Sequence, residues 1–326
     1  MTDKELFYDE LLEAMHENPL FEGASFVERE VPKNNGIWEG IEIHVPKCTV
    51  APIISPDRMY DLRRPDESIR SLAERLADDI GKEIYRENEI VAKQFSSLMR
   101  QEKDFPLGAA VVSYEANKEW LKDLPYERIE DLAIYPKMYV APDASIRITS
   151  SLLSEIHMTK EEVLKEAKKN TAKNMVFKNL EEILFGETVE RDGDPEITSA
   201  LMPSPIESPM FVLTNKMRHD GAAMIACPEV LQTVHGLMSD DYYILPSSIH
   251  EVIIVPKHIP LPLEDMQKTV RQINEESVEP IDRLSDNVYE FDGKNFKIVV
   301  SKNLERDTVP GFPPFKEDSR NFGKRR

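Results

Sequence analysis

Glycine is scarce in this chain: 12 of 326 residues, with no two of them two positions apart. That excludes a dinucleotide-binding or kinase G-x-G loop, and no G-x4-G-K phosphate cradle occurs either. Cysteine is scarcer still. Cys48 and Cys227 are the two present, too few for a disulfide framework or a four-cysteine zinc site. Their wide separation points to two reduced thiols in a cytoplasmic protein. No unbroken apolar run approaches the ~20 residues of a membrane-spanning helix. Runs such as 107–112 and 252–255 have strand length. The opening Met1-Thr2-Asp3-Lys4-Glu5 lacks the basic start and apolar stretch of a signal peptide. Basic charge is also short: 41 Lys and Arg against 60 Asp and Glu give a net charge of −19. Such a surface repels phosphate backbones and anionic membranes, so neither nucleic acid nor a membrane is the expected partner.

What is present describes a globular chain, with 40% hydrophobic and 31% charged residues. Residues 4–17 predict a helix carrying Leu6, Leu11, Leu12 and Met15 on one side. Residues 25–45 predict a hairpin: Asn34-Asn35-Gly36 is a turn signal, and Ile41-Glu42-Ile43-His44-Val45 alternates with period two. The clearest helix is 68–87, extending towards Met99, with Ile69, Leu72, Ala73, Leu76, Ile80 and Ile84 on one stripe. Strands are predicted at 108–114, 132–139 and 145–149. Thr159-Lys160-Glu161-Glu162 is a capping box that opens a helix, and a second short helix is expected near 178–185. Beyond it, strands are predicted at 210–214 and 222–226, and a helix follows Pro228. Further strands are expected at 242–245 and 251–255, then a helix at 262–278 and a hairpin around Asp292-Gly293. Helices and strands mix without strict βαβ alternation, so the expected class is α+β with mainly antiparallel strands. The expected organisation is an N-terminal region 1–186, a proline-rich linker or long loop 187–209, a C-terminal region 210–302 and a disordered tail 303–326.

The most function-like segment is Leu245-Pro246-Ser247-Ser248-Ile249-His250-Glu251. Ser248 as nucleophile and His250 as base, with Glu251 nearby, would make a metal-independent hydrolase. On a strand, however, residues two apart lie about 7 Å from one another, and no glycine makes a sharp elbow before the serine. The plainer interpretation is a turn leading into a strand. Seven histidines are present, none with helical zinc-pair spacing, so neither a metal nor a cofactor is expected. His219-Asp220 reads as a solvated turn pair. A helix with Lys160, Lys165, Lys168, Lys169, Lys173 and, further on, Lys178 is the one basic concentration. It is either a solvated face or a phosphate-contacting patch of a nucleic-acid-associated accessory protein. Trp38, Asn215, Lys216, Gly221 and Ser247 are candidate binding-surface residues, with Trp38 by default a packed core ring.

Three stretches together resemble a known family. They are Asn34-Asn35-Gly36 leading to Gly40-Ile41-Glu42-Ile43, Thr214-Asn215-Lys216 leading to Gly221-Ala222-Ala223, and Leu245 to Val252. With Asp131-Leu132-Ala133-Ile134, they are similar to a domain of unknown function from anaerobic gut Firmicutes, over about residues 25–300. Residues 130–256 are more weakly similar to an uncharacterised bacillar family. The resemblance implies a bacterial cytoplasmic setting and no activity, cofactor or catalytic residue. The resulting expectation is a non-catalytic binding or interaction protein whose partner is a protein or a small molecule.

Overall fold

A computed structural model describes residues 2–48, 51–99, 107–141, 144–180, 196–197, 210–246 and 248–299, with 94–99, 140–141, 144 and 196–197 described by backbone alone. The fold is α+β. Helix α1 (Asp3–Glu17) starts at a capping box: Thr2 Oγ1 accepts from the Glu5 N–H, and the Glu5 carboxylate accepts from the Thr2 N–H. Its apolar side, Phe7, Leu11 and Met15, packs on the stripe Leu72, Ala73, Leu76, Ala77 and Ile84 of α3 (Ile69–Met99). Each large side chain buried there contributes about 1.5–3 kcal/mol. Arg70 ties the two helices at their exposed edge by bonding Glu10, Glu13, Glu17 and Glu74. Ile41 and Ile43 of the hairpin β1 (Ser25–Lys33) and β2 (Gly36–His44) complete this core. The short β3 (Ile53–Ile54) extends the hairpin and leads into α2 (Pro56–Tyr60).

The hairpin turns at Asn34 and Asn35, with Asn35 in the left-handed region at φ 57°. Its tip is held rather than solvated. Asn117 of α4 (Tyr114–Leu121) accepts from the Asn35 N–H and donates to both Asn34 Oδ1 and Asn35 Oδ1.

A second sheet pairs β4 (Leu107–Ser113) with β6 (Leu132–Ala141), which also carries β5 (Glu127–Ile129) and β7 (Ala144–Arg147). The third sheet runs β14 (Phe296–Val299), β13 (Val288–Phe291), β11 (Tyr242–Leu245), β12 (Val252–Pro256), β10 (Phe211–Asn215), β8 (Met175–Asn179), β9 (Glu196–Ile197). Only the β8–β9 pairing is parallel among the described strands. Because β8 pairs with β10, this sheet draws on both sides of the 187–209 segment. The largest core lies between these sheets. It contains Val111, Ile134 and Met138 from one, Phe177, Leu213 and Ile254 from the other, and Val163, Leu164 and Ala167 of α6 (Lys160–Ala172). Helix α5 (Ser150–Glu155) precedes α6, which opens on the expected Thr159–Glu162 capping box. Helix α7 (Pro228–Met238) adds Val230, Leu231 and Val234 to this core. Helix α8 (Leu263–Glu276) instead covers Leu245, Val255 and Val288 on the outer side.

Two expectations are corrected. Residues 221–226 form a buried 3-10 helix, not a strand: Ala222 donates its N–H to Ile249 O, and the turn tightens with Ala223 N–H to Asp220 O. Residues 175–179 form β8, so 178 and 179, where the expected helix would open, are strand, and 181–185 lie outside the described residues. The linker 187–209, apart from 196–197, and the tail beyond 299 also lie outside them.

Replacing Asn117 with Ala removes the acceptor of both the Asn35 N–H and the Trp120 indole N–H. Orphaned buried polar groups cost roughly 1–3 kcal/mol each. Asn117→Ala should therefore lower the unfolding free energy by several kcal/mol, read as a lower urea midpoint at unchanged slope, without changing the far-ultraviolet circular dichroism of the folded state.

Candidate functional site

Residues 280–285 form a turn whose backbone is bonded from several directions. Asn34 Nδ2 donates to Ile281 O and Arg283 O at 2.6 and 3.0 Å, and Asn35 Nδ2 donates to Pro280 O and Arg283 O at 2.9 and 2.7 Å. On the other side, Ser248 forms an antiparallel bridge with Arg283, and the Ile249 N–H donates to Asp282 O at 2.8 Å. Ser285 N–H donates to Pro246 O, closing the same ladder. Ser285 Oγ, Asn287 Nδ2 and Tyr289 OH all donate to the Asp131 carboxylate, at 3.0, 2.9 and 2.5 Å. The stretches around Asn34, Asp131 and Ser248, remote in sequence, thus meet at one turn.

The stretch beginning at Thr214 joins through His250. Thr214 Oγ1 donates to His250 O at 2.7 Å, and Asn215 clamps the following loop by donating to His219 O and accepting from its N–H. Gly221 passes so close that an added Cβ would lie 2.1 Å from Thr214 Oγ1 and 2.3 Å from His250 O. Only glycine fits there.

Asp220 is not the solvated turn residue expected from sequence. It is 2% exposed, and its Oδ2 accepts from Lys137 Nζ at 2.6 Å and Tyr139 OH at 2.9 Å. Burial opposes its charge, but the Lys137 ammonium, the nearby His219 and the two hydrogen bonds outweigh burial and hold the carboxyl below its ordinary range. The backbone N–H of Asp220 donates to His250 Nδ1 at 3.3 Å, which places the imidazole proton on Nε2, facing Asp282 Oδ1 at 3.3 Å. The Asp282 hydrogen bond raises His250 above the ordinary histidine range, while burial lowers His219, whose ring lies 5.1 Å away centroid to centroid.

Both ring nitrogens of His250 are therefore engaged, and neither meets Ser248. The Ser248 hydroxyl is buried. Its Oγ accepts from the His250 backbone N–H at 2.9 Å, and the neighbouring Glu251 carboxyl is raised by burial. Asn215 and Gly221 are buried in the clamp, Lys216 is exposed, and Ser247 lies outside the described residues. Trp38 is not a core ring. It is half-buried, with Arg58 Cζ 4.3 Å and Lys33 Nζ 5.1 Å from its ring centroid. On α6, Lys160, Lys165, Lys168 and Lys169 line a cleft of about 590 Å³ together with Glu127, Glu161 and Glu229. Lys168 pairs with Glu127 at 2.6 Å and Lys169 with Glu166 at 3.3 Å. Among the described residues, no group of three or more His, Cys, Asp or Glu is placed to hold a metal ion, and no helix is long and apolar enough to cross a membrane. Both cysteines are free, Cys227 being buried with its thiol pushed up to about 12.

Residues 4–293 match the family of unknown function DUF5688. The chain belongs to that family. No curated protein and no solved structure matches it. In this DUF5688 member, the residues that sequence reasoning missed are Asn117, Lys137, Tyr139 and Asp282. Each is a polar residue whose partners come from distant parts of the chain, so no local pattern marks it.

His250 carries a raised pKa in the folded state. Its contribution is full below the unfolded histidine value and is lost as pH rises through the folded one. Asp282→Asn should therefore cost more stability at about pH 5.5 than at about pH 8.5, on either side of the ordinary histidine value of ~6.5. Urea unfolding at the two pH values measures this, and the His250 titration followed by NMR should move down in the variant.

Proposed function

We propose that the protein is a non-catalytic binding protein acting in the cytoplasm of a bacterium, of the gut Firmicutes type that its three shared stretches resemble. One observation carries the non-catalytic part: the Ser248 hydroxyl oxygen is held by the His250 backbone N–H, while the His250 imidazole is spent on the Asp220 N–H and the Asp282 carboxylate. A serine nucleophile needs a base nitrogen at hydrogen-bond distance from its own oxygen. Here that nitrogen would first have to break one of two bonds, and the ring would have to turn away from the strand. The same contacts have a structural use, since they fasten the 245–251 segment to the 280–285 turn and to β10. Two free cysteines, one in each of two separate cores, support a reducing compartment. The pairing of Lys168 and Lys169 with carboxylates weighs against a phosphate-tracking role for α6.

A fluorophosphonate probe tests the reading. Incubated with the full chain and followed by peptide mass spectrometry, it should leave Ser248 unlabelled. Labelling of Ser248 that disappears in Ser248→Ala, with the fold intact, would establish the hydrolase instead.

A further inference from the structure

The most unusual electrostatic feature lies beside this site. Lys137 of β6 and Arg147 of β7 are direct cross-strand partners. Like charges placed opposite each other destabilise a sheet. Arg147 reaches across to donate from Nη2 to Pro32 O at 2.9 Å, and its guanidinium lies 4.1 Å from the Trp120 ring centroid. That contact brings it next to Lys33, at the end of β1. Lys33 in turn shares the Trp38 ring with Arg58. Four cations from β1, α2, β6 and β7 are thus gathered in a chain whose net charge is −19. Asp220 balances Lys137, and the exposed Glu279 balances Arg58 at 2.5 Å. Among the described residues, no ion pair joins a carboxylate to Lys33 or Arg147. The ammonium of Lys33 is held below the ordinary lysine range, by burial first and then by Arg147, Lys137 and Arg58.

We propose that Lys33, Arg58, Lys137 and Arg147 form a binding site for a compact phosphate-bearing small molecule. Two uncompensated positive charges match a dianion, and guanidinium forks suit phosphate oxygens. The Trp38 and Trp120 rings each already carry a cation, so the site is built around charge and not around base stacking. A nucleic-acid polymer is disfavoured because the cations form a single spot on an acidic protein and not a stripe. The site gives the binding-protein reading a ligand class and rests on that reading for its biological meaning.

Titration calorimetry of the full chain with sodium pyrophosphate, against sodium chloride of equal ionic strength, tests the site. Saturable binding is expected, weakened about tenfold or more in Lys33→Met and in Arg147→Met, the scale of one lost charge-assisted hydrogen bond. It should be unchanged in Lys165→Met on α6. Lys33→Met should also melt higher than wild type without ligand, because it relieves like-charge crowding while keeping a stem against Trp38. It therefore decides the matter even where Arg147→Met fails to fold. Absence of binding at low ionic strength, or equal affinity in wild type and Lys33→Met, overturns the site. Neither result bears on Ser248, whose labelling would overturn the non-catalytic reading and leave pyrophosphate binding intact.

Discussion

Backbone carbonyls that leave regular structure must still find donors when they are buried. The turn at 280–285 is where that requirement organises this protein. The carbonyls of Pro280, Ile281 and Arg283 take the side-chain amides of Asn34 and Asn35. The Asp282 carbonyl takes the Ile249 N–H, and Pro246 O takes the Ser285 N–H. The N-terminal hairpin and the 245–251 segment are therefore fastened to opposite sides of one short piece of chain. An asparagine suits the hairpin tip twice over: it tolerates the left-handed conformation of residue 35, and its amide donates two hydrogen bonds to another segment.

The second constraint is the buried charge of Asp220. A carboxylate at 2% exposure is sustainable only with close partners, and Lys137 and Tyr139 come from the neighbouring sheet to supply them. Through its own N–H, Asp220 also sets which nitrogen of His250 carries the proton. One residue thereby links the β4–β6 sheet, the 3-10 helix at 221–226 and the strand that follows Ser248. The cost of that arrangement is visible next door. Lys137 is drawn to Asp220 and stands opposite Arg147, which leaves positive charge facing Lys33 with no carboxylate paired to it among the described residues.

Much of the fold was legible in the sequence because it follows from period and from turn chemistry. The α3 stripe, the hairpin at Asn34-Asn35-Gly36 and the capping box at Thr159 all form where residue spacing places them. The failures have definite causes. Ala222 to Ala226 is apolar enough for a strand, but the close approach at Gly221 and the bond from Ala222 to Ile249 O wind it into a 3-10 helix. Met175 to Asn179 loses its strand signal to the helical spacing of the leucines and isoleucine that follow. At the site, sequence marked Ser248 and His250 as neighbours in the chain, but the imidazole is engaged by the Asp220 N–H and the Asp282 carboxylate, 30 or more residues away, and the Ser248 hydroxyl by the His250 backbone and not its ring. Asp220 read as a solvated turn residue, and nothing local to Asp131 or Asp282 gave either a role. Their burial and bonding depend on tertiary contacts that no window of sequence contains.

The central claim is that the stretches around Asn34, Thr214 and Ser248 are fastened together as structure, around the 280–285 turn and His250. Residue-resolved hydrogen exchange tests it most directly, through the amides of Ala222, Ile249 and Ser285, each bonded across these stretches. The account predicts that they exchange only with global unfolding, as slowly as the hydrogen-bonded amides of β10 and β12. Exchange at least about a hundredfold faster than in those strands, through local opening of the 245–251 segment, would contradict it.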